Sequence, residues 1–179
     1  MNLPVSSPLQ FRRATEADIA ALVELVTSAY RGDASRQGWT TEADLLDGQR
    51  IAPEVLRDNL SAPRSCIALV ERDGELLGCA HVCDQHGAGY FGMFAVRPTL
   101  QNAGIGRALL AEAERIAAGE WGLPMMRMQV IDLREELIAW YVRRGYRRTG
   151  AKAPFPATDP RFGLPRRDDL RFEILEKPL

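Results

Sequence analysis

The chain has 179 residues, of which 46% are hydrophobic and 26% charged, and its formal net charge at pH 7 is −1. A chain of this length can bury one core, so we predict a single domain over residues 1–179 with a flexible start at residues 1–8. The balanced charge and the absence of a long apolar run exclude a broad basic surface and a membrane span, so we expect no nucleic acid and no membrane as partners.

The N-terminal third of the sequence predicts one strand and several helices. Residues 9–13 favour a strand, and the segment Thr15–Asp18, similar to a capping box, predicts the start of a helix. The apolar side chains on one face of this helix are Ile19, Leu22, Val23, Val26 and Tyr30. Residues 31–38 predict a loop, and short helices are predicted over residues 41–48 and, after a proline, over residues 54–60.

Residues 65–71 and 75–84 flank an Asp-Gly pair and predict a β-hairpin. The second strand contains Cys79, His81 and Cys83 on one face, but the Cα atoms of the two cysteines would lie roughly 13 Å apart. Zinc–sulfur bonds are only about 2.3 Å long, so we predict no metal site. With Cys66 the cysteines number three and show no paired spacing, which argues against disulfides and predicts a cytoplasmic protein.

The second half of the chain predicts four further strands and two helices. Residues 90–96 and 125–131 favour buried strands on either side of a helix over residues 105–118. One face of the last helix is predicted to contain Leu133, Leu137, Trp140 and Tyr141, and Gly145 ends that helix. A strand over residues 146–151 and a long loop over residues 152–169 follow.

A final strand is indicated by alternating apolar residues, Leu170, Phe172 and Ile174. Taken together, the elements predict an α/β (α+β) fold. We expect a mixed, mostly antiparallel central sheet of about seven strands, flanked by helices.

The segment Gln101–Arg107 is the strongest functional signal in the sequence. Its two glycines lie between the strand over residues 90–96 and the following helix. The first amides of a helix lack internal partners and point outward at the positive end of the helix dipole, and glycine lets an anion approach the backbone. The segment therefore predicts a phosphate ligand, most simply a pyrophosphate.

The two common nucleotide motifs do not fit this segment. A dinucleotide fold requires a third glycine where Leu109 stands, and a P-loop requires Lys-Ser/Thr where Arg107-Ala108 stand. The remaining pattern, Q-x-x-G-x-G at the end of a strand, resembles the acyl-CoA-binding signature of the GNAT (GCN5-related N-acetyltransferase) family.

Two other segments resemble the same family. Residues 92–98 are similar to its fourth strand, and residues 133–146, which end in Trp-Tyr-Val-Arg-Arg-Gly-Tyr, are similar to its late helix and the strand that follows. The order and spacing agree over residues 65–150. The resemblance implies a GNAT-like acyl-CoA N-acyltransferase fold and acetyl-CoA as the co-substrate.

The resemblance also implies where acetyl-CoA would bind. In the family, the strands equivalent to residues 90–96 and 125–131 splay apart, and the pantetheine arm hydrogen-bonds to free backbone groups between them. Those groups would belong to Phe94 and Val96, with the amide of Phe94 or Ala95 holding the thioester oxygen. The pyrophosphate would bind the segment that comprises Gln101, Asn102, Ala103, Gly104, Ile105, Gly106 and Arg107.

Tyr141 is the predicted catalytic side chain. The family has a tyrosine at this place, which donates its phenolic proton to the departing CoA thiolate, and the reference pKa values of about 10 and 8.5 make this transfer plausible. The alternative is a core aromatic residue, as we predict for Trp140. Arg134 replaces an asparagine that is frequent in the family, which puts any CoA contact at that position in doubt.

The general base is not identified by the sequence. An amine is mostly protonated at neutral pH and must lose a proton before it attacks a thioester. Glu42, Asp132, His81 or an ordered water are the candidates.

The acceptor site is expected to form from residues 30–60 and 152–169, because these regions vary with the substrate in the family. Its candidate contacts are Tyr30, Trp39, Glu42 and Phe155. We therefore predict an acetyl-CoA-dependent N-acetyltransferase that acts on a primary amine of a small molecule by direct attack. The alternatives are a protein or peptide N-acetyltransferase and a non-catalytic CoA sensor, and the family resemblance leaves a homodimer open.

Overall fold

A computed structural model describes residues 6–179, so the expected flexible start at residues 1–8 lies mostly outside the described residues. The strands are β1 (Gln10–Arg13), β2 (Leu46–Asp47), β3 (Ser65–Arg72), β4 (Glu75–Gln85), β5 (Ala88–Val96), β6 (Met125–Ile131), β7 (Arg147–Pro154), β8 (Leu164–Pro165) and β9 (Arg171–Pro178). The helices are α1 (Ile19–Tyr30), α2 (Gly32–Ser35), α3 (Pro53–Ser61), α4 (Ile105–Arg115) and α5 (Glu135–Val142).

Seven of these strands form one sheet in the order β1-β3-β4-β5-β6-β9-β7. All neighbours are antiparallel except β5 and β6, which are parallel. The predicted mixed, mostly antiparallel sheet of seven strands with flanking helices is therefore confirmed.

The alternation of apolar side chains along β3 produces two core layers. Ile67 and Leu69 pack with α1 and α3 on one face of the sheet, whereas Ala68 and Val70 pack with α4 and α5 on the other. Successive strand side chains point to opposite faces, so a continuous apolar run requires cover on both sides. The C-terminal end of α1 and the N-terminal end of α4 both lie near the carboxyl end of β5, where the candidate site lies.

The predicted helix over residues 41–48 is wrong. Thr41 caps only a single turn by accepting a hydrogen bond from the amide of Ala43 at 3.0 Å. The chain then becomes extended as β2, which pairs with β8 in a separate two-stranded sheet. A distant partner strand thus overrides a local capping signal.

Two predicted loops contain regular structure. Residues 31–38 include the short helix α2. Residues 152–169 include the end of β7, a 3₁₀ turn over Pro160–Phe162 and the strand β8.

The face predicted for the last helix is correct only in part. Leu133 precedes α5 and is 42% exposed, whereas Leu137 and Tyr141 are buried. Helix α5 begins only after Arg134, whose side chain bonds to Glu42 and to the Thr40 hydroxyl. With this tertiary contact at Arg134, the helix begins two residues later than the apolar pattern indicates.

Candidate functional site

Strands β5 and β6 separate soon after they meet. Their ladder contains only the pairs Gly89–Met126 and Tyr90–Arg127. Beyond these pairs the two strands diverge, and the space between them opens into two neighbouring cavities.

A β-bulge in β5 lies at the point of divergence. Ala95 pairs with Cys79 and Gly92 with His81, so Met93 and Phe94 together stand opposite a single residue of β4. Met93 has a φ of 49°, in the left-handed region. A bulge leaves residues outside the ladder and frequently occurs beside active sites. The backbone at Phe94 is therefore placed at the opening and outside the ladder.

The first cleft has a volume of about 410 Å³ and lies between the end of β5 and the N-terminus of α4. It is lined by Ala29, Tyr30, Trp39, Thr40, Phe94, Ala95, Val96, Gln101, Asn102, Gly104, Gly106, Arg107, Arg134, Leu137, Trp140, Arg143 and Arg144. The residues that the sequence assigned to acetyl-CoA line this cleft, apart from Ala103 and Ile105, which belong to the same segment.

Free backbone amides form one end of the first cleft. Gly104 is the N-cap of α4 with a φ of 79°, a conformation that favours glycine. Within residues 6–179, the six amides of Asn102–Arg107 donate no hydrogen bond. Unpaired amides at the start of an 11-residue helix are a ready site for a phosphate group.

Gln101 holds the wall of this cleft together. Its amide oxygen accepts a hydrogen bond from the Trp39 amide at 2.9 Å, and its amide nitrogen donates to the Val96 carbonyl at 3.3 Å. These two contacts tie the loop after α2 to the end of β5. The Gln101 side chain thus has a local structural role in addition to its place beside the amides.

Three arginines make the same end of the cleft positive. Arg107 belongs to the first turn of α4, and Arg143 and Arg144 follow α5. The Arg144 guanidinium lies 3.5 Å from the centre of the Trp140 ring. Burial, followed by the positive charges of Arg143 and Arg107, lowers the pKa of Arg144. The cations repel one another here, so a polyanion that bound between them would relieve that repulsion.

The second cavity has a volume of about 540 Å³ and lies between the diverging parts of β5 and β6. Its walls include side chains from β2 to α3, from β5 and β6, from α5 and from the segment after β7. Four residues line both cavities: Tyr30, Phe94, Arg134 and Leu137. These four mark the junction at which a group bound in one cavity meets a group bound in the other.

Tyr141 lines the second cavity next to this junction. The side chain is only 4% exposed, and its ring contacts the rings of Phe91, Phe94, Trp140 and Tyr146. Burial raises the pKa of Tyr141 well above its ordinary value. The phenol therefore remains protonated at neutral pH, and its hydroxyl makes no hydrogen bond with any of the residues described.

Tyr30 fixes the backbone at the bulge. Its hydroxyl donates a hydrogen bond to the Phe94 carbonyl. Burial raises the pKa of Tyr30, so this donor stays protonated as well. Helix α1, which supplies Tyr30, thus orients the peptide group that lies at the junction.

A buried ionic cluster forms the wall beside Tyr30. Glu42 binds Arg31 at 2.6 Å and Arg134 at 2.9 Å, and all three side chains are almost fully buried. Burial opposes ionisation of Glu42, but the charges of Arg134, Arg50 and Arg31 outweigh it and lower the Glu42 pKa. Glu42 is therefore a weak proton acceptor, although it lines the second cavity.

The other candidate bases differ in their positions. His81 lines the second cavity, its Nε2 lies 2.9 Å from the Ser65 hydroxyl, and burial lowers its pKa to about 4. Asp132 lines neither cavity and is paired with Lys152 at 2.8 Å. Of the side chains proposed as bases, only Glu42 and His81 are brought to the cavity.

The structure places the aromatic candidates Phe155 and Trp39 in different cavities. Phe155 lines the second cavity and packs on Phe172 with 5.5 Å between ring centres. Trp39 lies in the first cleft instead, with its ring centre 6.5 Å from that of Trp140. Trp140, which we predicted as a core residue, is only partly buried and lines the same cleft.

Two contributions to the site were not predicted from the sequence. Arg50 lines the second cavity, and Arg143 and Arg144 line the first. Arg50 lies in an irregular segment with no motif around it, so no local pattern distinguishes it from a surface arginine. The adjacent pair Arg143-Arg144 follows the predicted tyrosine, and that proximity was an available signal.

Residues 6–179 contain no group of three His, Cys, Asp or Glu side chains placed to hold a metal ion. In the same part of the chain, no helix is both long enough and apolar enough to cross a membrane.

The family model described as "Acetyltransferase (GNAT) family" matches residues 20–146. The match covers most of the chain, and the chain therefore belongs to the GNAT acetyltransferase family. The predicted family and the predicted enzyme class, an acetyl-CoA-dependent N-acetyltransferase, are confirmed. Comparison with curated protein sequences gives no match.

Solved structures with a similar fold include acetyltransferases with different acceptors. The ribosomal-protein-S18-alanine N-acetyltransferase from Escherichia coli is 16% identical with a TM-score of 0.69, over 96% of this chain and 94% of that one. The PaiA N-acetyltransferase from Thermoplasma acidophilum, in complex with coenzyme A, is 16% identical with a TM-score of 0.65, over 96% and 99%. A spermidine N-acetyltransferase chimera from Vibrio cholerae is 14% identical with a TM-score of 0.66, over 96% of each chain.

Proposed function

We propose that the protein transfers the acetyl group of acetyl-CoA to a primary amine of a small molecule by direct attack in a ternary complex. The observation that supports this most is the junction of two cavities between β5 and β6. One cavity ends at the free amides of α4, and the other is lined in part by segments outside the sheet. Two reactants that enter from opposite sides would meet beside Phe94, and no covalent enzyme intermediate is needed.

The first cleft fits a CoA pyrophosphate. The amides of Asn102–Arg107 are unpaired, the left-handed Gly104 has open space on its Cβ side, and Arg107, Arg143 and Arg144 supply positive charge. Amides and arginines bind phosphate oxygens through charge-assisted hydrogen bonds. The pantetheine arm would then lie along Val96 toward Phe94, where the backbone is free of the ladder.

The chemical step follows from the groups at the junction. The neutral amine nitrogen attacks the thioester carbonyl carbon, and a bulge amide stabilises the negative charge on the carbonyl oxygen. When the carbon–sulfur bond breaks, Tyr141 gives its proton to the thiolate, and the proton lost by the amine restores the neutral phenol through solvent. Cys66, Cys79 and Cys83 have no role as nucleophiles.

The second cavity supports a small-molecule acceptor. Residues between β2 and α3 and residues after β7 form part of its wall. A peptide chain would need a groove open at both ends, and a volume of about 540 Å³ suits a small ligand.

The test is release of the CoA thiol from acetyl-CoA in the presence of a panel of small amines and short peptides. We expect turnover with small amines and none, or much less, with peptides. A variant with all three cysteines replaced by serine or alanine should retain turnover if it folds. Peptide-selective turnover would favour the protein N-acetyltransferase, and CoA binding without turnover on any amine would favour the sensor.

A further inference from the structure

The second cavity has a surplus of positive charge. Among the residues described, Glu42 is the only acidic side chain that lines this cavity. Arg50 and Arg134 line the cavity beside it. The two Glu42 oxygens are already bound, one to Arg31 and the other to Arg134. Arg31 does not line the cavity, so the two lining arginines and Glu42 leave a formal surplus of one positive charge on its wall.

Arg50 is the cation in this group that lacks a carboxylate partner. In the part of the chain that the structure describes, it forms no salt bridge. Its guanidinium lies 4.6 Å from the centre of the Tyr30 ring, and Tyr30 bonds to the Phe94 carbonyl at the junction. Arg50 also lies within hydrogen-bonding reach of the Tyr30 side chain. Its remaining guanidinium N–H groups have no carboxylate partner among the residues described, and their fork matches a carboxylate.

The rest of the cavity wall is apolar or neutral. Aromatic side chains from three segments line it: Tyr90, Phe155, Phe162 and Phe172. His81 is uncharged at neutral pH, because burial lowers its pKa to about 4. A second ammonium group of a polyamine would therefore meet arginines and no free carboxylate here. An anion would neutralise the surplus charge.

We infer that the acceptor is a primary amine that also bears a carboxylate, namely an amino acid with an apolar or aromatic side chain. This inference rests on the proposed function and names the substrate class of the same site. Arg50 binds the carboxylate, the aromatic wall receives the side chain, and the amino group is directed toward Phe94 and Tyr141. Arg50 is then a specificity-determining residue that binds substrate.

The test compares acceptors that share a side chain and differ at the carboxylate, with each rate expressed per neutral amine, because loss of the carboxylate charge also lowers the pKa of the amine. L-Phenylalanine, L-phenylalanine amide and phenethylamine have the same ring, and L-leucine with L-leucine amide repeats the comparison with an aliphatic side chain. Thiol release from acetyl-CoA gives kcat/KM for each, with spermidine as a polycationic acceptor. Because hydrogen bonds to charged groups are worth about 1.5–3 kcal/mol, we expect the free amino acids to be preferred about 10- to 100-fold over their amides.

Variants locate that preference in the cavity. Arg50→Gln should lower kcat/KM for the amino acids about 10- to 100-fold more than for the amides, mainly through KM, so that the preference disappears. Arg50→Lys keeps the charge and should restore part of it. Arg57→Gln is the matched control, because Arg57 is exposed on α3 and pairs with Glu16 outside the cavity.

The outcomes separate the inference from the proposed function. Turnover of amides, phenethylamine or spermidine as good as that of amino acids would overturn the inference and leave the acetyltransferase in place. Loss of activity toward amides and amino acids alike in folded Arg50→Gln and Arg50→Lys would also overturn it. If no acceptor supports thiol release and acetyl-CoA does not bind, the proposed function itself fails. The comparison of amino acids with their amides on the unmodified protein tests the inference even if an Arg50 variant does not fold.

Discussion

At the scale of single residues, the proposed chemistry depends on a phenol that is kept neutral by burial. Tyr141 is surrounded by the rings of Phe91, Phe94, Trp140 and Tyr146. Desolvation disfavours the charged phenolate, and this raises the Tyr141 pKa. A hydroxyl that stays protonated and lacks a protein partner is available to a leaving group. The aromatic enclosure thus gives a core-like side chain a chemical role.

Replacing Tyr141 by phenylalanine tests that role. We expect kcat for acetyl transfer to fall about 100-fold, because a general acid contributes typically 10²–10⁴-fold, while KM for acetyl-CoA changes little. Initial rates of thiol release with saturating amine measure both constants. Tyr146→Phe is the control, since the Tyr146 hydroxyl lies away from the junction and donates a hydrogen bond to Glu114 at 2.9 Å. Equal kcat in wild type and Tyr141→Phe would remove the catalytic assignment.

His81 gives a second prediction, on pH and stability. Its pKa is lowered to about 4 by burial, so the folded protein binds this proton less readily than the unfolded chain does. The neutral His81 therefore contributes up to about 3 kcal/mol to the free energy of unfolding. This contribution is fully present above pH 6.5 and is lost as the pH falls toward 4. Urea unfolding of wild type and His81→Gln from pH 7 to pH 4 measures it.

The slope of stability against pH should be smaller in His81→Gln than in the wild type. Parallel curves for wild type and His81→Gln would show that the buried histidine does not control this pH range.

Single residues were predictable where a motif names them and unpredictable where only tertiary contacts do. The glycine segment and Tyr141 have motif context, and the structure places both at the cavities. Arg50 and the partners of Glu42 come together from distant positions, and no spacing rule relates Glu42 to Arg134. The acceptor side could therefore be assigned to a region but not to its charges.

At the scale of elements, the N-terminus of α4 is the part of the fold most directly shaped for an anion. Its position follows from the end of β5 and from the left-handed Gly104, which turns the chain into the helix. The amides before Ala108 remain unpaired, whereas the amide of Ala108 already binds the Gly104 carbonyl at 3.1 Å. The geometry of one turn thus presents the whole set of donors.

Gly104→Ala should weaken CoA binding about 10-fold. A Cβ at a φ of 79° strains the turn by about 1 kcal/mol or more. We expect the backbone to rotate to relieve this strain, so that the amides of the turn no longer point together into the cleft. Gly122→Ala is a matched control, because Gly122 also has a positive φ of 66° and open space on its Cβ side, but precedes β6 away from the cleft. Titration calorimetry with CoA measures both.

The two variants should lose similar stability and differ only in affinity. If Gly104→Ala and Gly122→Ala bind CoA equally well, the amides of this turn do not bind the cofactor.

The ionic cluster that joins α1, the segment after α2 and the start of α5 gives another prediction at this scale. Glu42→Gln leaves Arg31 and Arg134 buried without a counter-charge, and breaking a buried pair costs about 3–5 kcal/mol. Urea unfolding should show this loss. Asp44→Asn, which removes an exposed partner of Arg36 on the same segment, should leave stability unchanged. A stable Glu42→Gln protein would contradict the account of this wall.

Elements with their own periodicity were predicted well, and elements that depend on a partner were not. The long strands and α4 follow from apolar patterns. Strand β2 has two residues and exists because β8 pairs with it from more than a hundred positions away. The late start of α5 depends on Arg134 in the same way. The residues next to β2 and α5 in the sequence give no indication of either contact.

At the scale of the whole molecule, the family fold provides the space of the candidate site, and this chain's own side chains provide the groups that line it. The separation of β5 from β6 creates the space, and α4 and α5 on one face and α1 on the other supply the groups around it. The fold class was predictable because three motifs occur in the right order. The acceptor was not, because the cavity proposed for it is built in part from irregular segments whose mutual positions only the structure shows.

The most direct test of the central claim is calorimetric titration of the unmodified protein with acetyl-CoA. The claim is that the cleft between β5 and α4 binds the cofactor through the amides of Asn102–Arg107. We predict one site per chain with a dissociation constant of about 1–100 μM, in the range of ordinary enzyme–substrate affinities. Absence of heat and of binding at about 1 mM acetyl-CoA would contradict the account.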